Sequence, residues 1–549
     1  MVFRVVGFRK FGYSCSNGGT LQRLMRWLFS LLLVMATAVA FGNRILLVPL
    51  DSRPAPGQFA QMIGRIDGVD VRMPPFETLG RFTTPGNPDR ILDWLEEQDM
   101  SDVTAIIAST DMVCYGGLIV SRIYDVSSVV AARRLNRLLD IKRNYAHLKL
   151  YLFSSTMRLA PTATLKASKF RLKLARYEEL KDMAARNGDP DAKPQMIAIK
   201  KKIPIGEIEQ YELTRQRNHR IQKLLVQMTK DALVDFLVIG QDDARPFGPH
   251  VGETEELKQL VHQYSLGWKV YFCEGVDQHS IVLLSRALLK QADWTPRVRV
   301  VFSDDEGRNA FANFESKRIE ESLSEQLLAS GARPVGHDGE FDYTLYLNTP
   351  NRRDAPFKKF LDNLKSDLDK GEPTAVADIN LGNDGTADPE LFEALWDQDR
   401  LTKLLSYAGW NTAGNTIGTS IPAANIYLLA KRSDVDPLVR EVAQREFLIH
   451  RFINDYAYHK FTRPSAYALI EPGHHEEIYG EEWDEVNTYV SRDLLKHLRV
   501  FFDQGFLGRT FTAGDRSYQY AGLSDAKVWL PWPRPYEARL EFHIQVRQE

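Results

Sequence analysis

The stretch Phe236 to Gly248, FLVIGQDDARPFG, indicates how this chain folds. Four apolar residues, Phe236 to Ile239, are followed by Gly240 and then by two adjacent aspartates, Asp242 and Asp243. Such a run is typical of a buried strand in a parallel sheet, which delivers polar groups to the carboxyl edge of an α/β fold. Taken alone, the aspartate pair favours a helix cap over chemistry.

The same pattern recurs along the chain on both sides of this stretch. From Arg44 onward, apolar runs of strand length alternate with longer helical stretches, which is the signature of βα units and a largely parallel sheet. Nearly every run ends in polar, mostly acidic residues: Asp51 and Arg53 after ILLVPL, Asp111 and Tyr115 after Val103 to Ala108, and Glu274, Asp277 and His279 after Val270 to Cys273.

If these strands are neighbours, five aspartates converge on one rim: Asp51, Asp111, Asp242, Asp243 and Asp277. A shared acidic cluster needs cations, hydrogen bonds or shifted pKa values to balance it, and a catalytic or sugar-binding site supplies these. Each aspartate by itself is better explained as a helix cap. The convergence of all five is what favours a functional site.

The composition is that of an ordinary globular protein, with 549 residues, 44% hydrophobic and 26% charged. Because 70 Lys and Arg face 72 Asp and Glu, there is no basic surplus, and we expect no nucleic-acid partner. Cys114 and Cys273 each lie near the end of a predicted strand and lack metal-ligand spacing. The pattern favours two buried thiols over a disulfide.

Residues 1–40 are predicted to form a secretory signal. Basic residues precede the apolar run Trp27 to Val39, which ends in the small-x-small pattern Ala38-Val39-Ala40. The run is short for a transmembrane span, and an uncleaved amphipathic anchor is the alternative. We therefore expect a periplasmic or secreted bacterial protein, cleaved near Ala40, with no stable membrane insertion.

The rhythm of the sequence changes three times after the first strands. Residues 165–230 form a charged helical insertion, which we interpret as a solvated hairpin or lid. After about residue 293, four further strands are predicted in VRVVFSDD, DYTLYLNTP, TAVADINLGND and LLSYAGWNTAGNTIG. We expect an α/β fold with three parts: a parallel-sheet (β/α)-barrel-like or doubly wound part over 41–293, a smaller second α/β part over 294–432, and a mainly helical region with a closing strand over 433–549.

The densest polar segment of the second half is Tyr407 to Thr416. Its glycines allow close backbone approach, Asn411 and Asn415 offer donors and acceptors, and Trp410 offers a flat apolar face. A sugar site needs this combination, although a glycine-rich turn with Trp410 in the core explains the segment equally well. Asn380 lies at another predicted strand end and is expected to join the same rim.

Four segments, ILLVPLDSRP, TDMVCYGGL, GQDDARPFG and AGWNTAGNTIG, together resemble the bacterial family called "domain of unknown function 4127". The closing segment LPWPRPYEARLEF fits the resemblance as well, so the likeness covers nearly the whole chain after the leader. The family name implies no activity. A looser likeness, of the aspartate pair after a strand, is to barrel β-N-acetylhexosaminidases that use the acetamido group of their own substrate.

Two carboxyl groups are the minimum that glycoside hydrolysis requires, so we hypothesise a glycoside hydrolase acting on a saccharide, N-acetylated or not. Asp243 would act as the acid, and Asp242 would act as the base or orient an acetamide. The residues expected to hold the sugar are Asp51, Arg53, Asp111, Tyr115, Asp277, Asn380, Trp410, Asn411 and Asn415.

Two other classes stay open. One is a non-catalytic periplasmic sugar- or solute-binding protein whose two halves close on a ligand. The other is a metal-dependent hydrolase, because clustered aspartates can hold Ca²⁺ or Mg²⁺. The sequence has no HExxH, EF-hand, GxSxG or Walker pattern. We therefore expect no metal ligands and no cofactor, and a carbohydrate or other small polar substrate as the partner.

Overall fold

The computed structural model describes residues 43–164, 167–336, 339–396, 398–475 and 477–549, and the predicted leader at 1–40 lies outside these ranges. The first sheet of the described chain has six parallel strands in the order β2-β1-β3-β4-β5-β6. These strands are β1 (Arg44–Val48), β2 (Asp70–Arg72), β3 (Val103–Ser109), β4 (Lys149–Thr156), β5 (Phe236–Gln241) and β6 (Val270–Glu274).

This sheet is open, because within the described ranges β2 and β6 each pair with a neighbour on one side only. The doubly wound form of the predicted fold is therefore confirmed, and the barrel-like form does not hold. In the described part of the chain, ten α-helices accompany the sheet: α1 (Gln58–Ile66), α2 (Pro88–Glu96), α3 (Thr110–Tyr115), α4 (Leu118–Ser121), α5 (Ser128–Asn144), α6 (Arg171–Arg186), α7 (Ala192–Lys200), α8 (Ile205–Lys230), α9 (Pro249–Gln263) and α10 (His279–Gln291). Helices α6, α7 and α8 make up the helical insertion that the sequence predicts.

The second sheet has five parallel strands in the order β11-β10-β9-β7-β8. They are β7 (Arg297–Phe302), β8 (Arg333–Val335), β9 (Tyr343–Asn348), β10 (Thr374–Asp378) and β11 (Leu404–Ala408), and the helices beside them are α11 (Ile319–Ser330), α12 (Asp354–Lys370), α13 (Pro389–Leu395), α14 (Gln398–Leu401) and α15 (Ala413–Ala430). Four of these strands are the predicted ones, and the short strand β8 is an addition. Counted from β8, the strand order repeats that of the first five strands of the first sheet.

Helix α15 lies in the core between the two sheets. All of its residues are buried except Leu428, which is half-buried. Its apolar side chains belong to one continuous hydrophobic cluster with α1, α10 and α11 and with residues of both sheets. The helix is rich in Gly, Ala, Ser and Thr, and these small residues let its backbone approach the neighbouring elements closely. The two sheets therefore share a single helical layer.

The C-terminal region is mainly helical, as predicted, and it also contains an antiparallel sheet. Its helices are α16 (Pro437–Phe452), a π-helix (Ile453–Thr462), α17 (Arg463–Tyr467) and α18 (Gly480–Gly505), and its strands are β12 (Thr510–Ala513), β13 (Arg516–Trp529) and β14 (Arg539–Gln548). Strand β14 is the predicted closing strand, whereas β12 and β13 were not predicted. Cys114 and Cys273 are buried and free. No described helix is both long and apolar enough to span a bilayer.

The tight packing of α15 can be tested at Gly418. A Cβ atom there would lie 2.4 Å from Cγ of Gln278 and 2.7 Å from Oε1 of Gln326. We expect Gly418→Ala to lower the free energy of unfolding by about 1–3 kcal/mol, because the buried neighbours must shift. Gly206 in α8 is the matched control, since a Cβ atom there meets nothing within 4 Å. Gly206→Ala should stabilise by about 0.4–1 kcal/mol in the same urea titration. Equal effects at the two positions would contradict the packing.

Candidate functional site

The five predicted aspartates meet at the carboxyl edge of the first sheet. Four of them, Asp51, Asp111, Asp242 and Asp277, are at least nine-tenths buried, and the side chain of Asp243 is 30% exposed. Each follows a different strand except for the pair after β5, so the parallel sheet delivers them to one side of the molecule. The charge of Asp242 contributes to the raised pKa of Asp111 and to that of Asp277. The predicted convergence is therefore present.

Arg53 lies among these carboxylates and pairs with two of them. Its Nη2 atom is 2.7 Å from Oδ2 of Asp51 and 2.6 Å from Oδ1 of Asp277. Its Nη1 atom is 3.3 Å from Oε1 of Glu537 in the C-terminal tail. Because the guanidinium is planar and always charged, it can hold several carboxylates in fixed geometry.

The two adjacent aspartates each have their own arginine. Arg122 donates to Oδ2 of Asp242, and Arg158 forms an ion pair with Asp243. The backbone N–H of Asp243 also donates to Oδ1 of Asp242 at 2.9 Å. Burial opposes the ionisation of Asp242, but the charges of Arg122 and Arg158 outweigh it and lower the pKa of Asp242. This carboxylate is therefore held in the ionised form.

Other carboxyl groups of the cluster have the opposite shift. Burial raises the pKa of Asp277 to about 6 against the pull of Arg53, and the neighbouring charge of Asp51 adds to the rise. Burial also raises the pKa of Asp111 to about 6, although Asp111 accepts a hydrogen bond of 2.9 Å from the backbone N–H of Ser155. One cluster thus contains carboxyl groups with separated pKa values, as acid–base sites do.

Glu315 belongs to this region and was not found by the sequence patterns. It is 2% exposed, and its Oε1 atom accepts a hydrogen bond from the backbone N–H of Gly414. Burial and the nearby charge of Glu274 raise the pKa of Glu315 to about 8. The backbone N–H of Ala244 donates to the carbonyl of Phe314 at 2.9 Å, which ties the Glu315 segment to the turn that carries the aspartate pair.

The sequence patterns did not identify Glu315 because it does not directly follow a strand. It lies in the connection between β7 and α11, where a glutamate has no pattern to mark it. One signal is visible only in the backbone: Phe314 has a φ of 65°, a conformation that bulky residues rarely adopt. Such strained positions are concentrated at functional sites.

The C-terminal tail between β13 and β14 covers the cluster. The indole of Trp532 lies over the guanidinium of Arg53, 4.7 Å from it, and donates to Oγ of Ser52 at 2.9 Å. The hydroxyl of Tyr536 donates to Oδ1 of Asn411 at 3.0 Å. The tail therefore contributes Trp532, Tyr536 and Glu537 to the site, and the sequence patterns had assigned no role to these three residues.

The π-helix forms another wall of the site. Asn454 and His459 are five residues apart, which is close to one turn of a π-helix, and both line a small cavity with Arg53, Asp277, Trp410 and Asn411. The cavity has a volume of about 30 Å³, enough for about one water molecule. π-Helical turns occur often at functional sites.

Three further predicted residues, Trp410, Asn411 and Asn415, lie partly in the site and partly in the core or at the start of α15. Trp410 lines the small cavity but also packs edge-on against Phe59, with ring centroids 5.7 Å apart. Asn411 lies 3.5 Å from Asp277. Asn415 is buried in the first turn of α15, and its backbone N–H donates to the capping Thr412. The segment is therefore both a helix start and part of the site.

Two predicted residues have their contacts elsewhere. Asn380 donates to Asp388 at 2.9 Å, in a network at the carboxyl edge of the second sheet that also contains Asp378. Burial and the charge of Asp388 raise the pKa of Asp378 to about 7. Tyr115 packs against Arg217, whose guanidinium lies 4.0 Å from the ring centroid. Asn380 contacts residues of the second sheet because it follows strand β10 of that sheet. Tyr115 contacts Arg217 because it lies at the end of helix α3 and does not directly follow a strand.

The fold and the site define a class: an α/β protein of two doubly wound parallel sheets, with an acidic cluster balanced by arginines at one sheet edge. Within the described ranges, no three His, Cys, Asp or Glu side chains are grouped to hold a metal ion.

The model of the family described as "Protein of unknown function (DUF4127)" matches residues 45–541, and the chain belongs to this family. The resemblance predicted from the motifs is thereby confirmed. A comparison with curated proteins found no match.

The pairing of Arg53 can be tested by removing its charge. Arg53→Met leaves Asp51 and Asp277 buried without their cation, so we expect a loss of about 3–5 kcal/mol in the free energy of unfolding. Arg137 is the control, because it forms ion pairs with Asp93 and Glu96 on the surface. Arg137→Met should cost about 1 kcal/mol or less in the same denaturation experiment. A loss at Arg53 no larger than that at Arg137 would contradict the role of Arg53.

The protonation of Glu315 predicts a pH dependence of stability. The folded chain holds the proton of Glu315 more tightly than the unfolded chain, because its pKa rises from 4.5 to about 8 on folding. The free energy of unfolding of the wild type, compared with that of Glu315→Gln, should therefore fall as the pH rises through this window. Urea titrations of both proteins from pH 4.5 to pH 8 measure the difference. A difference that is constant with pH would show that Glu315 titrates normally.

Proposed function

We propose that this protein is a glycoside hydrolase-like enzyme that cleaves a saccharide by means of two carboxyl groups, Asp243 and Glu315. The observation that supports this is the contrast between them at one place in the fold. Asp243 is partly exposed and ion-paired with Arg158, whereas Glu315 is buried and has a pKa of about 8. Glycoside hydrolysis needs one group of each kind.

Glu315 supplies the proton in this mechanism. At neutral pH its carboxyl group is protonated, and it donates to the glycosidic oxygen as the bond to the anomeric carbon breaks. Asp243, as the carboxylate, attacks the anomeric carbon or takes the proton from the water that adds there. These roles differ from the acid role that the sequence suggested for Asp243, because the buried Glu315, with its raised pKa, is the better proton donor.

The surrounding residues support both groups. Asp242 is kept ionised by Arg122 and Arg158, and its charge opposes the build-up of further negative charge nearby. Trp410, Asn411 and Tyr536 line the small cavity beside Arg53, which holds about one water molecule. An N-acetylated saccharide would use Asp242 to orient its acetamide, as the sequence analysis proposed.

We also propose that the protein acts outside the cytoplasm. Residues 1–40 have the charge and hydropathy pattern of a cleaved secretory signal, and a periplasmic or secreted enzyme would meet saccharides there. A hinged solute-binding protein is less well supported, because a continuous hydrophobic core joins the two sheets.

Turnover of synthetic glycosides tests the function. We expect a panel of methyl and p-nitrophenyl glycosides to include at least one sugar that is turned over. Asp243→Asn should lower kcat/KM by at least about 100-fold on both kinds of substrate, and Glu315→Gln should do so on the methyl glycoside, whose leaving group must be protonated. Asp305→Asn is the matched control, since Asp305 is an exposed carboxylate in the second half, and it should be unchanged. Full activity on the methyl glycoside in either site variant would contradict the assignment. Loss of turnover with EDTA would instead favour the metal-dependent hydrolase.

The pH profile of this activity provides a separate check. Because Glu315 must carry its proton to act as the acid, kcat/KM should fall as the pH rises through about 8. The basic limb should be absent from the activity that remains in Glu315→Gln, because the amide has no proton to lose in this pH range. A profile that stays flat above pH 8 would assign the acid role to another group.

A further inference from the structure

A second cavity lies at the same sheet edge as the proposed catalytic carboxyl groups. It has a volume of about 230 Å³, compared with about 30 Å³ for the small cavity beside Arg53. A sugar ring cannot enter a space that holds about one water molecule, whereas the larger cavity can accommodate a sugar ring. It is bounded by the ends of β4, β5 and β6, by helix α9, and by the segment Ser316 to Glu321.

The cavity combines an apolar floor with polar walls. Ile239 and Phe272 form apolar surface, and the polar groups are Thr156, Gln241, Thr254 and Ser316. Gln241 is nine-tenths buried, its side-chain N–H donates to the carbonyl of Asp242, and its side-chain oxygen has no hydrogen-bond partner within the described chain. Apolar surface with a few placed donors and acceptors is what a hydroxylated ring requires.

The charges around the cavity balance each other. Two lysines, Lys258 and Lys317, and two glutamates, Glu255 and Glu321, contribute to its walls. Lys317 forms an ion pair with Glu325, and Oε2 of Glu255 lies 2.7 Å from Nη1 of Arg186. Since neither sign is in excess, the cavity favours a neutral ligand over an anion or a cation.

The cavity adjoins both proposed catalytic residues along the chain. Gln241 directly precedes Asp242 and Asp243, and Ser316 directly follows Glu315. The hydrogen bond between Ala244 and Phe314 holds these two segments side by side. A larger groove, of about 1160 Å³, flanks β7 in the second sheet, and none of these residues lines it.

We propose that the cavity between α9 and Ser316–Glu321 binds one neutral, hydroxylated ring of monosaccharide size, with the scissile bond directed toward Asp243 and Glu315. This inference rests on the proposed function and adds the position and chemical class of the bound unit. The ring lies against Ile239 and Phe272, and its hydroxyl groups meet Thr254 and Ser316.

Filling the cavity tests the proposal. Thr254 is a half-buried residue of α9 that lines it, and Gln259 is an exposed residue of the same helix that does not. The probes are D-glucose, D-galactose and N-acetyl-D-glucosamine, titrated into the full chain and followed by saturation-transfer NMR. We expect at least one to bind, Thr254→Trp to weaken it by at least 10-fold, and Gln259→Trp to change it by less than two-fold. Thr254→Phe serves as a smaller filler if the melting temperature of Thr254→Trp is lowered.

The outcomes separate the cavity from the catalytic function. Sugar binding that persists unchanged in both filled variants, or the absence of binding by all three probes, overturns the cavity assignment. Binding that is lost in the filled variants and kept in Glu315→Gln supports it, even where no glycoside is turned over and the hydrolase proposal fails. Glycoside turnover that the filled variants leave unchanged overturns the cavity assignment and leaves the hydrolase proposal standing.

Discussion

The guanidinium of Arg53 connects three remote parts of the chain, and the site depends on it. Asp51 follows β1 and Asp277 follows β6, although three strands lie between β1 and β6 in the sheet. Glu537, from the C-terminal tail, approaches the same cation. Buried carboxylates without a partner are strongly destabilising, so loops from distant strands must converge where the cation lies. The indole of Trp532 covers the guanidinium, and the tail thereby closes over the cluster.

The two sheets hold this edge in place through a shared helical layer. Helix α15 is buried along its whole length, and its first turn brings Gly414 to the carboxyl group of Glu315. Glu315 precedes α11 of the second half, whereas the aspartate pair follows β5 of the first. The proposed catalytic groups therefore come from both halves. A continuous core between the halves keeps their separation fixed, because close-packed interiors have low compressibility.

The proposed chemistry rests on differences in environment between carboxyl groups of the same cluster. Arginines keep Asp242 ionised, while burial raises the pKa of Asp277 to about 6 and that of Glu315 to about 8. Such a division supplies a proton donor and a carboxylate at the same pH. The larger cavity beside Gln241 offers the space that the small cavity beside Arg53 lacks.

The sequence by itself determined the strand series, the meeting of Asp51, Asp111, Asp242, Asp243 and Asp277, the helical insertion and the family. These features follow from local apolar runs and from the rule that parallel strands deliver their ends to one edge. Only the tertiary structure decided between an open sheet and a barrel, since closure depends on which strands pair. It also paired the aspartates with Arg122 and Arg158, bound Asn380 to Asp388 at the edge of its own sheet, and brought Glu315 and Tyr536 to the site. These contacts join residues far apart in the chain, and burial, which sets their charge states, is a property of the packed molecule and of no local pattern.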